Sequence, residues 1–298
     1  MTEKIINYES SENSVKEFIE SVRRGIPTAV FGVSDSFKNY LATEIEGQVI
    51  YVVKDVVSLE TAARGIKEFS GIEPVKLKSK DEILLVNKAF SKDGVYSRII
   101  ATEKMPTAKY IVCTIEALMQ KFVIGVKKIV IEKNREYDRD ELIKSLVSAG
   151  YKREDRAENK GTFAVRGDII DVFPINTENA YRIDFFGDEA ESIKEYSDEK
   201  KDDLGFTDKI EIIQAVERVF SEEDKEKLLA AARKEKNAAS PEARSKLQTL
   251  CDDLAFAAEN SDNDVLSAFS GFYDNAVTFD KIIGGDAVIM FDEPKRVS

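Results

Sequence analysis

The 298-residue sequence contains no histidine. The commonest general base and the commonest metal ligand are therefore missing together, and acid–base or zinc chemistry would have to rest on carboxylates and cysteines alone. There are only two cysteines, Cys113 and Cys251, far apart and each inside an apolar pattern. They read as buried, reduced thiols that behave as small hydrophobes, which points to the cytoplasm. No apolar run reaches the length of a membrane span, and the first residues, MTEKIINYESSENS, lack the apolar stretch of a secretory signal. No metal, no cofactor and no membrane partner is expected.

What is present is ordinary for a globular chain: 43% apolar and 34% charged residues, with 6 Pro and 15 Gly. The length suggests two domains, or three small ones. A net charge of −12 argues against a nucleic-acid surface covering the whole chain. The charge is uneven: residues 121–167 carry twelve Lys+Arg against eight Asp+Glu, and residues 168–215 carry five against fourteen. A segment so polarised could dock a partner, and a solvated charged face explains it equally well.

From residue 14 to about 125 helix and strand patterns alternate. Ser14-Val-Lys-Glu17 is a capping-box signature before Val15, Phe18, Ile19 and Val22 at helical spacing, and Gly25 with Pro27 stops that helix. Apolar runs at Thr28–Phe31, Val49–Val53 and Tyr110–Cys113 predict strands, with helices over 36–46, 59–69 and 115–122 between and after them. Strands without polar alternation, separated by helices, predict a parallel sheet covered on both faces. Ile129–Ile131 is a candidate for one more strand of it. Asp138 caps a helix with Leu142, Ile143, Leu146 and Val147 on one face, ended by Gly150. Runs at 161–165, 168–173, 180–186 and 191–196, separated by turn residues, then suggest a small antiparallel sheet. The stretch 221–260 reads as charged helices, the second opened by Ser240-Pro241. Ala287–Phe291 returns to the buried-strand style and is expected to rejoin the first sheet, the one containing Thr28–Phe31. The expected fold is therefore α/β: a discontinuous parallel-sheet domain (1–126 plus 269–298), an inserted α+β domain (127–215) and a helical insertion (216–268). Ser298 comes seven residues after the last strand, which suggests a fragment of a longer protein.

The turn Phe31-Gly32-Val-Ser-Asp-Ser-Phe37-Lys38-Asn39 sits where a P-loop belongs. A working P-loop needs glycine before the lysine, so that backbone N–H groups can curl around phosphate, and Ser or Thr after it for magnesium. Here Phe37 and Asn39 take those places, and Asp35 adds negative charge. The window is either a relic that has lost nucleotide or a plain strand–turn–helix with a chance lysine. In both cases Gly32, Phe37, Lys38 and Asn39 form a site expected to be empty, and Lys38 is not catalytic. Met290-Phe-Asp292-Glu293 resembles a Walker B end, but without a phosphate cradle it has no nucleotide-bound metal to hold.

The segments GYKREDRAE (150–158), GTFAVRGDIIDVFP (161–174), YRIDFFGDE (181–189) and Glu191-Ser-Ile193 form a long ordered block. It resembles the UvrA-binding domain shared by the nucleotide-excision protein UvrB and the transcription-repair coupling factor. The resemblance spans nearly the whole chain and is weak over 71–105 and 215–270. UvrB keeps a working P-loop followed by an aromatic hairpin that grips DNA. The broken P-loop here, with no Tyr-rich insertion between 39 and 114, is similar instead to the UvrB-like front end of the coupling factor. That resemblance implies a non-catalytic module that recruits UvrA and restrains the motor of the full-length protein, an ATP-dependent DNA translocase. RNA polymerase and DNA would be reached only through domains absent here. It also implies that Arg166, Arg182 and Phe186 match the family's UvrA contacts. Strand alternation agrees: Arg182, Asp184 and Phe186 share one face, and Tyr181, Ile183 and Phe185 the other. The competing readings are an NTPase or helicase half, a DNA-binding module using 121–167, or a plain surface on which Phe186 is a half-buried edge residue and the arginines are solvated or paired with Asp184 and Glu189.

Overall fold

Val49–Val53 (β3) and Tyr110–Thr114 (β5) are buried at every position, and they pair in parallel from Val49 opposite Tyr110 to Val53 opposite Thr114. Side chains buried on both faces require helices on both faces, hence the continuous apolar runs. The structure is a computed structural model that describes residues 4–7, 12–79, 92–197, 202–260, 262–267 and 276–293. The chain divides into two compact units. The first takes residues 1–88, 101–122 and 277–298, and the second 89–100 and 123–276.

In the first unit, Val75–Leu77 (β4) and Val288–Phe291 (β14) complete a parallel sheet in the order β14-β3-β5-β4. The last strand thus returns to the first sheet, as its composition suggested, lying against β3 with Val288 opposite Val49. It does not share a sheet with Thr28–Phe31 (β2), contrary to expectation. That strand pairs in parallel with Lys4–Asn7 (β1), an element with no sequence signal long enough to find. The helices Glu12–Arg23 (α1), Asp35–Thr43 (α2) and Val56–Ser70 (α3) supply Phe18, Leu41, Leu59 and Ile66 to one core with Val49, Tyr51 and Val53. Helix α1 begins before Ser14, so the capping-box pattern lies inside the helix and does not start it. Helix α3 is bounded as its sequence dictates: Asp55 accepts from Ser58 N at 2.7 Å, and Gly71 takes φ 70° at the C-cap. A second core on the other side of the sheet joins Ile50, Val52, Leu77, Met105, Ile111 and Phe122. Cys113 belongs to it, and burial pushes its thiol up to about 12.

The second unit is built on a six-stranded sheet of order β12-β11-β10-β9-β8-β7. Its strands are Lys152–Arg153 (β7), Thr162–Arg166 (β8), Ile169–Phe173 (β9), Ala180–Phe186 (β10), Glu189–Ser197 (β11) and Asp202–Phe206 (β12). All pairings are antiparallel except β7 with β8. Lys128–Glu132 (β6), a candidate for the parallel sheet on its Ile-Val-Ile run, instead pairs antiparallel with Lys209–Ile213 (β13). Only Ile131 of β6 is fully buried, so this is a half-solvated strand and the run was too short to tell the two apart.

Arg139–Ser148 (α6) follows, with the helix Lys92–Lys104 (α4) and the short turn of helix Ile115–Met119 (α5) preceding it in the chain. Asp138 caps α6 by accepting from Glu141 N at 3.0 Å. Its other end is a Schellman turn: Gly150 N donates to Val147 O at 3.0 Å and Tyr151 N to Leu146 O at 3.0 Å, with Gly150 at φ 87°. The helices Glu222–Ala238 (α7), Pro241–Glu259 (α8) and Asn263–Ser267 (α9) pack around Phe220, Leu228, Leu254 and Leu266, with Cys251 among them. This segment, expected as a domain by itself, falls within the second unit. Residues 269–275 and 294–298 of the expected closing segment lie outside the described residues.

Candidate protein-docking face

The six-stranded sheet has one apolar face and one polar face because its strands alternate. Phe163, Ile170, Val172, Ile183, Phe185 and Ile193 are buried in the core. The residues between them look out. Register places Arg182 of β10 directly opposite Asp171 of β9 and Lys194 of β11, with Phe206 of β12 next in the row. The neighbouring row runs Arg166, Ile169, Asp184, Ser192.

Asp171 organises this face. It is 1% exposed, yet it carries a charge-bearing carboxyl on the outward side of a strand. Arg182 donates to it twice, Nε to Oδ1 at 2.7 Å and Nη2 to Oδ2 at 3.0 Å, and Arg166 donates Nη2 to the same Oδ2. The Asp171 hydrogen bonds raise the Arg182 pKa above its ordinary value, against the opposing effect of burial. The Arg182 guanidinium also lies over the Tyr196 ring, 5.4 Å from its centroid. Neither arginine is solvated with Asp184 or Glu189 as its partner: Asp184 accepts from Ser192 Oγ at 2.8 Å instead. Both guanidinium groups remain half-exposed.

Phe186 ends β10 at 80% exposure, after an irregularity in the β10–β11 ladder between Asp184 and Phe185. Phe206, 74% exposed, lies across the same face. Sequence reasoning missed Phe206 because β12 was not found. The structure thus brings Arg166 and Arg182 together on one carboxylate and leaves Phe186 in solvent at the end of the same strand. Part of the polarised charge of 121–167 against 168–215 is paired internally, as in Lys128–Glu211 at 3.0 Å, Arg139–Asp168 and Arg166–Asp171.

The 31–39 turn lies in the first unit. Gly32 takes φ 72°, and Ser34 caps α2. Phe37 packs partly buried against the first core, its ring 5.7 Å from that of Tyr40. Asn39 is buried against α3, so closely that a Cβ on Gly65 would come within 2.2 Å of its amide nitrogen. Lys38 donates to Asp292 at 2.8 Å and Asp35 at 3.0 Å, and Glu293 lies 3.7 Å away. Burial opposes the Lys38 charge, but these hydrogen bonds outweigh it and raise its pKa. Among the described residues no cluster of three or more Cys, Asp or Glu could hold a metal ion, and no helix is long and apolar enough to cross a membrane. A cavity of about 640 Å³ in the second unit is lined by Lys92, Lys160, Glu154 and Glu158 among others; its charges balance and select no ligand.

The family model of the UvrB interaction domain matches residues 129–217, the stretch that holds β6, α6, the six-stranded sheet and β13. The chain is similar to two kinds of curated protein. One is the transcription-repair-coupling factor of Escherichia coli (strain K12), 26% identical over 184 residues, covering 59% of this chain and 16% of that protein. The other is UvrABC system protein B. The protein from Clostridium botulinum (strain Loch Maree / Type A3) is 48% identical over 69 residues, 23% of this chain and 10% of its own length. That from Lactobacillus acidophilus is 34% identical over 108 residues, 36% and 16%. The chain therefore spans less than a fifth of the length of each of these relatives.

Proposed function

We propose that the chain is a non-catalytic docking module of a transcription-repair coupling factor and that the β8–β10 face binds the excision-repair protein UvrA. The observation that carries this reading is the exposed Phe186 on the same sheet face as two half-exposed arginines, within the part of the chain that matches the UvrB interaction domain. Arginine and aromatic residues dominate binding hot spots. Arg166 and Arg182 share one carboxylate, so the group is net positive and suits an acidic patch on UvrA. In a full-length protein this would bring UvrA to stalled RNA polymerase and restrain the motor. Titrating UvrA into the chain is expected to give saturable binding that weakens with salt. Absence of binding at micromolar protein would overturn the proposal.

The same reading makes the first unit a degenerate P-loop fold without nucleotide. Lys38, the residue that would reach a phosphate, is held by Asp292 and Asp35, so an incoming anion would meet a carboxylate already in place. No saturable Mg-ATP binding in the micromolar range is expected by calorimetry, and such binding would restore the NTPase alternative. Phe37→Gly with Asn39→Thr leaves the Lys38–Asp292 pair intact and restores no turnover.

A further inference from the structure

Resting on the docking reading above, we propose that Asp171 is a positioning residue of the partner-binding face, holding Arg166 and Arg182 in the geometry the partner recognises. A carboxylate sealed from solvent without cationic partners would be costly. Asp171 avoids this only by engaging both oxygens, one with Arg182 and the other with Arg182 and Arg166. The arrangement follows from register: Asp171 is the direct cross-strand neighbour of Arg182, and Arg166 lies diagonally across from it, opposite Ile169. Two consequences follow.

The first is geometric. The Nε–Nη2 edge of Arg182 already faces Asp171, so a partner carboxylate meets Arg182 at its Nη1 side, whereas Arg166 commits only Nη2 and keeps the rest of its fork for the partner. The second is entropic. A free arginine loses rotamer freedom when a partner immobilises it, and two side chains already fixed in the unbound protein avoid about a tenfold penalty in affinity. Phe186 lies outside the Asp171–Arg182 row and has no part in the clamp's hydrogen bonds, which provides an internal control.

The test is a mutant cycle on the 298-residue chain with UvrA as the titrant. Asp171→Asn should weaken binding about tenfold in the parent and by a clearly smaller factor in Arg166→Ala, where only Arg182 is left to position, while the cost of Phe186→Ala stays the same with or without Asp171→Asn. Loss of fold would instead shrink the effects of both Arg166 and Phe186, which would make Asp171 merely structural and overturn the proposal. Parent-like affinity of Asp171→Asn overturns it as well. If Arg166→Ala and Phe186→Ala both bind like the parent, the docking reading itself fails, independently of the clamp. Should Asp171→Asn not fold, Asp171→Glu keeps the charge and moves the carboxylate by one methylene. It should lose at least about threefold in affinity, and parent-like binding by that variant also overturns the assignment.

Discussion

Phe186→Ala and Arg166→Ala are each expected to weaken UvrA binding by about 2 kcal/mol, roughly thirtyfold, with the melting temperature of the module unchanged. Phe186 is 80% exposed, so truncating it removes contact area mainly from a complex. Arg166 gives one hydrogen bond to Asp171, and Arg182 still covers both carboxylate oxygens after it is gone. Arg182→Ala should behave differently. It strips the bidentate partner from a buried carboxylate, so it should lower stability as well as affinity. The stability loss should be about 2 kcal/mol, below the 3–5 typical of a fully buried pair because Arg182 is itself half-exposed and Arg166 remains. Calorimetric titration and thermal melts of the three variants separate the cases. Equal melting points for Arg182→Ala and Phe186→Ala would show that Asp171 finds another partner.

Gly150→Ala should destabilise the second unit by about 2–4 kcal/mol, the sum of a left-handed backbone forced on a residue with a Cβ and overpacking of the core. The Cβ would lie 2.6 Å from Val216 Cγ1 and 2.8 Å from Cγ2. Neither side has room to give: Ala215 N donates to Ala149 O at 2.7 Å, which ties the Val216 segment to the helix end. Urea unfolding should show a lower midpoint at unchanged slope. A shift below about 0.5 kcal/mol would mean the turn can rearrange, and the Schellman geometry would not be required.

The glycine that ends α6 was legible in the sequence because its chemistry is local: a helical face, then a residue that tolerates positive φ. The same holds for β3 and β5, whose unbroken apolar runs can only be buried on both faces, and for Ser240-Pro241 at the start of α8. What could not be read depended on residues brought together over distance. Asp184 and Glu189 are the only partners within the chain that the sequence offers for Arg166 and Arg182, as an alternative to a partner's carboxylate, because nothing local fixes which β9 residue lies opposite Arg182. That register is set across the turn joining β9 and β10. Lys38 and Asp292 are 254 residues apart, and no pattern in either segment announces the pair. Ser14 shows the opposite failure. Its S-x-x-E spacing satisfies a capping rule, yet the helix begins earlier, so a valid local signal was overridden by its surroundings.

The return of β14 to β3 also sets an order of events during synthesis. Until Val288 leaves the ribosome, β3 is the edge of its sheet on that side, with the backbone groups of Val49–Val52 awaiting the strand that will pair with them. The 234 residues between Val53 and Val288 must be made first, about ten seconds to most of a minute at usual elongation rates. In that interval every residue from 123 to 276 emerges, so the second unit can finish folding while the first is still open. The docking face would thus be assembled on the nascent chain before the sheet that precedes it in sequence is closed.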